Sequence, residues 1–168
     1  ALDVSGIDTL EVHSNRAVEI TIRSDVPARA KYGDSTESKV GVRRQGSRLI
    51  VAAHLEGGYE DLDLSVPASI HRLVLDGGTV HTKEKLASME LLVSGDVGWN
   101  GDVGTLVMRD TKDRKRSGKC ECGSATDFNV HGGFIREAWF YSPDGRLKLE
   151  ASDHIDSVHA WLGPKGDV

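Results

Sequence analysis

The chain has 168 residues, of which 38% are hydrophobic and 19 are glycine, with a net charge of -5. Such a length and apolar share support one packed domain and exclude a disordered chain. The acidic balance excludes a globally basic nucleic-acid binder, and no apolar run reaches the 18 residues or so that span a membrane.

The chain opens Ala1-Leu2-Asp3 without Met. A mature product cut after a small-residue signal site starts this way, so the expected location is periplasmic, outer-membrane-associated or secreted. Alternation of apolar and polar residues then begins. Val18, Ile20 and Ile22 alternate with Glu19, Thr21 and Arg23, Val40 and Val42 with Lys39 and Arg43, and Leu62, Leu64 and Val66 with Asp61, Asp63 and Ser65. Each predicts a strand with one buried face. Leu49 to Ala53 is more uniformly apolar and is expected to be covered on both sides. Turn clusters at Gly33-Asp34-Ser35, Gln45-Gly46-Ser47 and Glu56-Gly57-Gly58 separate these segments. Short turns at this spacing predict an antiparallel meander over residues 1–66.

After Pro67 short apolar triplets recur, each closed by a Gly or Asp corner: Leu73-Val74-Leu75, Leu91-Leu92-Val93, Leu106-Val107-Met108, Phe128-Asn129-Val130, Trp139-Phe140-Tyr141 and Val158 to Leu162. Between them Thr79-Val80-His81, Lys119 to Cys122 and Leu147-Lys148-Leu149 read as short second strands. Thr82 to Met89 is the best helical candidate, but its apolar content is too thin to bury a face. A strand of three to five residues cannot bury its own face, whereas stacking it on the next coil does so. The expectation is all-β: a single domain, 1–168, in which residues 1–66 pack on about five degenerate rungs of a parallel β-solenoid over 67–168. Gly and Asp at the corners would supply positive φ. The competing fold is an antiparallel sandwich, which wants longer alternation in the second half.

Several of these segments, in this order, resemble the head GIN domain family, named for adhesin heads of bacterial envelope proteins. Ser5-Gly6-Ile7 through Val12 is similar to its opening strand, and Gly46-Ser47-Arg48-Leu49-Ile50-Val51 to its G-x-L-x-I strand. Leu64-Ser65-Val66-Pro67 through Asp76-Gly77-Gly78 is similar to its P…L…L…sGsG passage, which Leu92 to Val97 repeats, and Val158 to Gly163-Pro164 looks like its last strand. The later Ser-Gly-Ser-Gly corners of the family are replaced here by Arg109-Asp110, His131-Gly132-Gly133 and Ser142-Pro143-Asp144-Gly145, and Thr111 to Gly118 is a basic insertion. The resemblance implies a right-handed β-helix-like stack and an adhesin-like role. It brings no catalytic residue and no cofactor.

Candidate chemistry is sparse. Asp61 and Asp63 share a strand face as an acid/base pair would, but also as a solvated face does. Gly95-Asp96 to Asn100-Gly101-Asp102 has the composition of a calcium loop without its ligand spacing. His154 and Asp153 could meet His159 or Asp156 across a corner as a metal site. Cys120 and Cys122, one residue apart, share a strand face and make no recognised zinc spacing. The strongest local charge is Lys112, Arg114, Lys115, Arg116 and Lys119, a solvated loop or a contact to an anionic partner. No aromatic interleaves these cations, so nucleic acid is not the expected partner. In Trp139-Phe140-Tyr141, Trp139 and Tyr141 share one face and Phe140 takes the other. With Phe140 inside, the pair forms an exposed aromatic patch. Trp99 and Trp161 are expected in the core or capping an end. The last segment, Trp161 to Val168, is expected to cover the open solenoid end, which would otherwise pair with another subunit as a homo-oligomer.

The leading expectation is a non-enzymatic binding surface for a protein or glycan at the cell envelope, with no cofactor and no transmembrane segment. A purely structural periplasmic module and a small carbohydrate-active enzyme are the alternatives.

Overall fold

A computed structural model describes residues 4–24, 28–31, 39–56, 62–111, 125–131, 133–142, 146–151 and 154–162. The chain is all-β, with fifteen strands and no helix among the described residues. The strands are β1 (Thr9–Ser14), β2 (Val18–Ile22), β3 (Arg29–Lys31), β4 (Lys39–Gln45), β5 (Arg48–His54), β6 (Leu62–Val66), β7 (Arg72–Leu75) and β8 (Gly78–Thr82). There follow β9 (Leu86–Val93), β10 (Val97–Asn100), β11 (Val103–Asp110), β12 (Ala125–His131), β13 (Ile135–Ser142), β14 (Arg146–Ala151) and β15 (Ile155–Leu162).

An eight-stranded sheet runs β15-β13-β11-β9-β7-β1-β5-β4, and a seven-stranded sheet runs β14-β12-β10-β8-β2-β6-β3. From β5 onward the chain changes sheet at every strand. Neighbours are therefore parallel, because the chain leaves, crosses the other sheet and returns in the same direction. Only β3 with β6 and β4 with β5 run antiparallel.

That pairing corrects the expected N-terminal meander. β1 pairs in parallel with both β5 and β7, and β2 with both β6 and β8. Alternating burial specifies which face is inside but is silent on strand direction. The true hairpin is β4 to β5, closed by Gly46-Ser47 with Gly46 at φ 62, a turn with glycine at its first central position. From β5 onward each connection carries the chain to the facing sheet, whereas β2 and β3 stay in the smaller sheet, on either side of β6. The passage from β6 to β7 runs beneath β1, held where Ser69 Oγ donates to the Ile7 carbonyl at 3.1 Å and His71 N to the Asp8 carbonyl at 3.0 Å.

One core fills the space between the sheets. Parallel register stacks like on like: Leu49, Leu10, Leu73, Leu91, Met108 and Phe140 form one inward row. Ile20, Val80, Trp99 and Val130 form its counterpart in the facing sheet. All ten side chains are buried, each large aliphatic one contributing about 1.5–3 kcal/mol over exposure. Leu49 to Ala53 is covered on both sides only as far as Ile50, which faces outward yet is 7% exposed, while Ala52 is open. The triplets at 73–75, 91–93, 106–108, 139–141 and 158–162 fall in the larger sheet, but Phe128 to Val130 lies in the smaller one. Val97 to Asn100, read from its flanking Gly and Asp as turn, is strand β10.

At the described corners positive φ is supplied by glycine. Among the described residues no non-glycine has positive φ, so the corner aspartates act by side chain instead. Asp102 Oδ1 accepts from Phe134 N at 2.8 Å, and Asp76 Oδ1 from Ser94 Oγ at 3.1 Å.

Candidate binding face

Strands β9, β11, β13 and β15 are the longest parallel run, each eight residues. Their outward side chains stack in register as their inward ones do. On β13, Ala138, Phe140 and Ser142 point into the core, with Phe140 1% exposed and stacked on Phe128 at 5.6 Å. Alternation then sends Trp139 and Tyr141 outward, where both are half-buried.

Trp139 lies between Val107 of β11 and His159 of β15, and Tyr141 between Arg109 and Trp161. The Trp139 and His159 rings stack at 3.9 Å with 13° between planes. The Trp139 and Tyr141 rings are 6.5 Å apart and nearly parallel, at 8°. The Arg109 guanidinium carbon sits 4.3 Å over the Tyr141 ring. At an exposed site such a cation–π contact contributes about 0.5–1 kcal/mol and a stacked aromatic pair about as much. His159 Nε2 is further oriented by Ser157 Oγ at 3.0 Å and Glu137 Oε1 at 3.4 Å. Toward the middle of the sheet Leu92 and Val74 continue the Arg109 row. Beyond them the face turns charged, with Arg72 to Glu90 and Arg48 to Glu11 both at 3.2 Å.

Of the residues singled out from sequence, the structure brings Trp139 and Tyr141 side by side. Lys112, Arg114, Lys115, Arg116 and Lys119 lie outside the described residues, as do Asp61, Cys120, Cys122 and residues 163–168. Asp63 is an exposed side chain on β6. His154 and His159 do not converge. His154 Nε2 meets Asp156 Oδ1 at 2.5 Å, and its ring stacks on Phe134, whereas His159 belongs to the Trp139 ladder. Among the described residues no group of three or more His, Cys, Asp or Glu is arranged to hold a metal ion. Trp99 is fully buried in the core, whereas Trp161 is not a core side chain: it is 53% exposed on the outer face of the end strand β15.

Arg109, His159 and Trp161 join the face without having been grouped from sequence. Their membership depends on cross-strand register, and the long segment between β11 and β12 breaks the spacing that would have revealed it.

No described helix is long and apolar enough to cross a membrane. No family model matches the chain, and no curated protein does. The chain is similar to the crystal structure of a "putative cell adhesion protein" from Clostridium sporogenes, with 11% identity, 96% of this chain and 92% of that one covered, and a TM-score of 0.30.

Proposed function

We propose that this chain is a non-enzymatic, adhesin-like binding domain of the bacterial cell envelope, built as a short β-solenoid of the head GIN kind. Its binding element is the outer face of the larger sheet, and its partner is a protein. The observation that carries this reading is the outward ladder of Arg109, Tyr141, Trp139, His159 and Trp161 on rigid paired strands. Aromatic and Arg side chains of this kind anchor protein interfaces. A glycan held on this face by ring stacking would need open ring faces, and His159 already covers one face of Trp139 and Arg109 one face of Tyr141. Ring edges and the Trp161 surface remain for a partner, which suits side-chain packing better than sugar stacking. Half-burial of Trp139 and Tyr141 within the ladder favours the second reading, a structural periplasmic module in which the stack only stiffens the sheet.

The test is binding of the purified domain to immobilised envelope material at low and high salt. The comparison is a Trp139→Ala/Tyr141→Ala/Trp161→Ala variant and an Arg114→Ser/Lys115→Ser/Arg116→Ser variant. The expected result is binding that protease treatment of the envelope abolishes, that periodate leaves intact, and that the aromatic variant loses while staying folded, its Tm lowered only by the few degrees that about 1 kcal/mol for each outward ring implies. Salt-sensitive binding lost only in the basic variant would move recognition to that segment. Equal behaviour of the wild-type and aromatic chains would leave the structural module.

A further inference from the structure

The smaller sheet carries a different surface. On β10, Val97 and Trp99 point inward, so Gly98 and Asn100 face out. In register beside them stand Thr79 and His81 on β8, and Asn129 on β12. Gly98 presents no side chain where its neighbours do. The result is a cleft of about 370 Å³ with the β10 backbone as its floor. That volume falls at the lower end of the range for small-molecule sites.

The walls mix apolar surface with the uncharged polar side chains of Thr79, Asn100 and Asn129, beside His81, His131 and Asp96. Thr79 and Asn129 stand two strands apart, about 10 Å across Gly98. The side chains of Thr79, Asn100 and Asn129 make no hydrogen bond to other residues among the described residues. Each amide therefore offers both donors and an acceptor to a ligand, and the hydroxyl offers one of each. His81 is steadied from the side by Glu19, with Nε2 to Oε1 at 3.1 Å. Among the described residues the lining contains no Lys or Arg; it includes His81 and His131, and the Asp96 carboxylate disfavours an anion. The Thr79 methyl, Ala17 and the exposed glycine backbone give an apolar ledge beside the amides.

We infer that this cleft is a subsite for a neutral saccharide, one or two rings long. Vicinal hydroxyls pair with the Asn100 and Asn129 amides and with Thr79, and the C–H face of the ring lies on the Gly98 backbone. The absence of a side chain at position 98 is what admits the ring. A β-carbon built there meets Thr79 Cγ2 at 3.5 Å and the Asn129 carbonyl at 3.8 Å, ordinary contacts, so the fold does not require glycine. The site lies on the sheet opposite the aromatic ladder and does not depend on it.

The experiment is an amide-resolved NMR titration of the full chain with cellobiose, maltose and N,N′-diacetylchitobiose, with glucuronate and inorganic phosphate as anionic probes. The expected result is millimolar binding of at least one of the three sugars, with shifts centred on Gly98, Asn100 and Asn129. Gly98→Val fills the cleft and is expected to weaken that binding at least about tenfold with no fall in Tm, since valine is favoured in strands. Asn129→Ala should weaken it several-fold. Shifts confined elsewhere, silence with all three sugars, undiminished binding by Gly98→Val, or tighter binding of glucuronate or phosphate would each overturn the assignment. The Trp139→Ala/Tyr141→Ala/Trp161→Ala variant should titrate like the wild type, which keeps this outcome separate from that of the protein-binding face.

Discussion

Asp8 ties three strands together at one residue. Its N–H donates to the Ser47 carbonyl at 2.9 Å, and its own carbonyl accepts from His71 N at 3.0 Å and Arg72 N at 3.3 Å. The Thr9 hydroxyl donates to its carboxylate at 2.8 Å and holds that carboxyl below its ordinary value of 3.8, against the opposing effect of desolvation. Ser47 and the charge of His71 lower it further. The folded carboxyl thus binds its proton less tightly than the unfolded one. Its contribution is complete above the unfolded value and is lost as pH falls through the lower folded value. Asp8→Asn should therefore be less stable than the wild type at neutral pH, and the gap in urea midpoint should narrow as pH falls below 3.8. A second residue-scale requirement is Gly78, which opens β8 at φ +144 beside Val18. A β-carbon there would lie 2.0 Å from the Val18 carbonyl oxygen. The three nearest atoms are all Val18 backbone, which cannot swing aside as a side chain can, so Gly78→Ala should lose roughly 3 kcal/mol in denaturant unfolding. An unchanged midpoint would mean that β2 and β8 are not paired here.

At the scale of a strand, β13 separates the two roles that neighbouring residues can have. Phe140→Ala opens a cavity in the core and should cost about 3–5 kcal/mol. Trp139→Ala and Tyr141→Ala remove outward rings and should each cost about 1 kcal/mol, readable as a small shift in Tm. If the outward pair proves as costly as Phe140, the ladder is a structural layer rather than a contact surface. This strand was legible in the sequence, because apolar triplets closed by Gly or Asp can only bury one face. Strand β10 was less so: its Val97-Gly98-Trp99 alternation is real, but Gly95, Asp96 and Gly101 around it read as turn. Partners across strands were not legible at all. Trp139 meets His159, and Tyr141 meets Arg109, through a register that local alternation does not encode. Direction was equally hidden, because Val18-Glu19-Ile20 looks the same whether its neighbour runs with it or against it.

The whole molecule is not ordered along its sheets as it is along its chain. β1 and β2, first in sequence, lie inside both sheets, with β5 and β6 on one side and β7 and β8 on the other. The strands at the ends of the larger sheet differ in kind. β4 is exposed along nearly its whole length and carries Lys39, Arg43 and Arg44, charges that discourage edge-to-edge pairing. β15 has one partner strand among the described residues and exposes Val158 and Trp161. Native-state hydrogen exchange should follow this map, with the amides of Leu10, Val12, Ile20 and Ile22 slowest and those of β4 and β15 fastest. Exchange in β1 as fast as in β4 or β15 would contradict the interior position of the first strands. The order also bears on synthesis at the ribosome. Strand β1 emerges before the strands it pairs with, which begin at Arg48 and Arg72. Nearly half of these 168 residues must be made before its pairings are complete. Until then the inward apolar side chains of β1 and β2 stay uncovered, and a chaperone that holds nascent chains would meet this domain at its own centre.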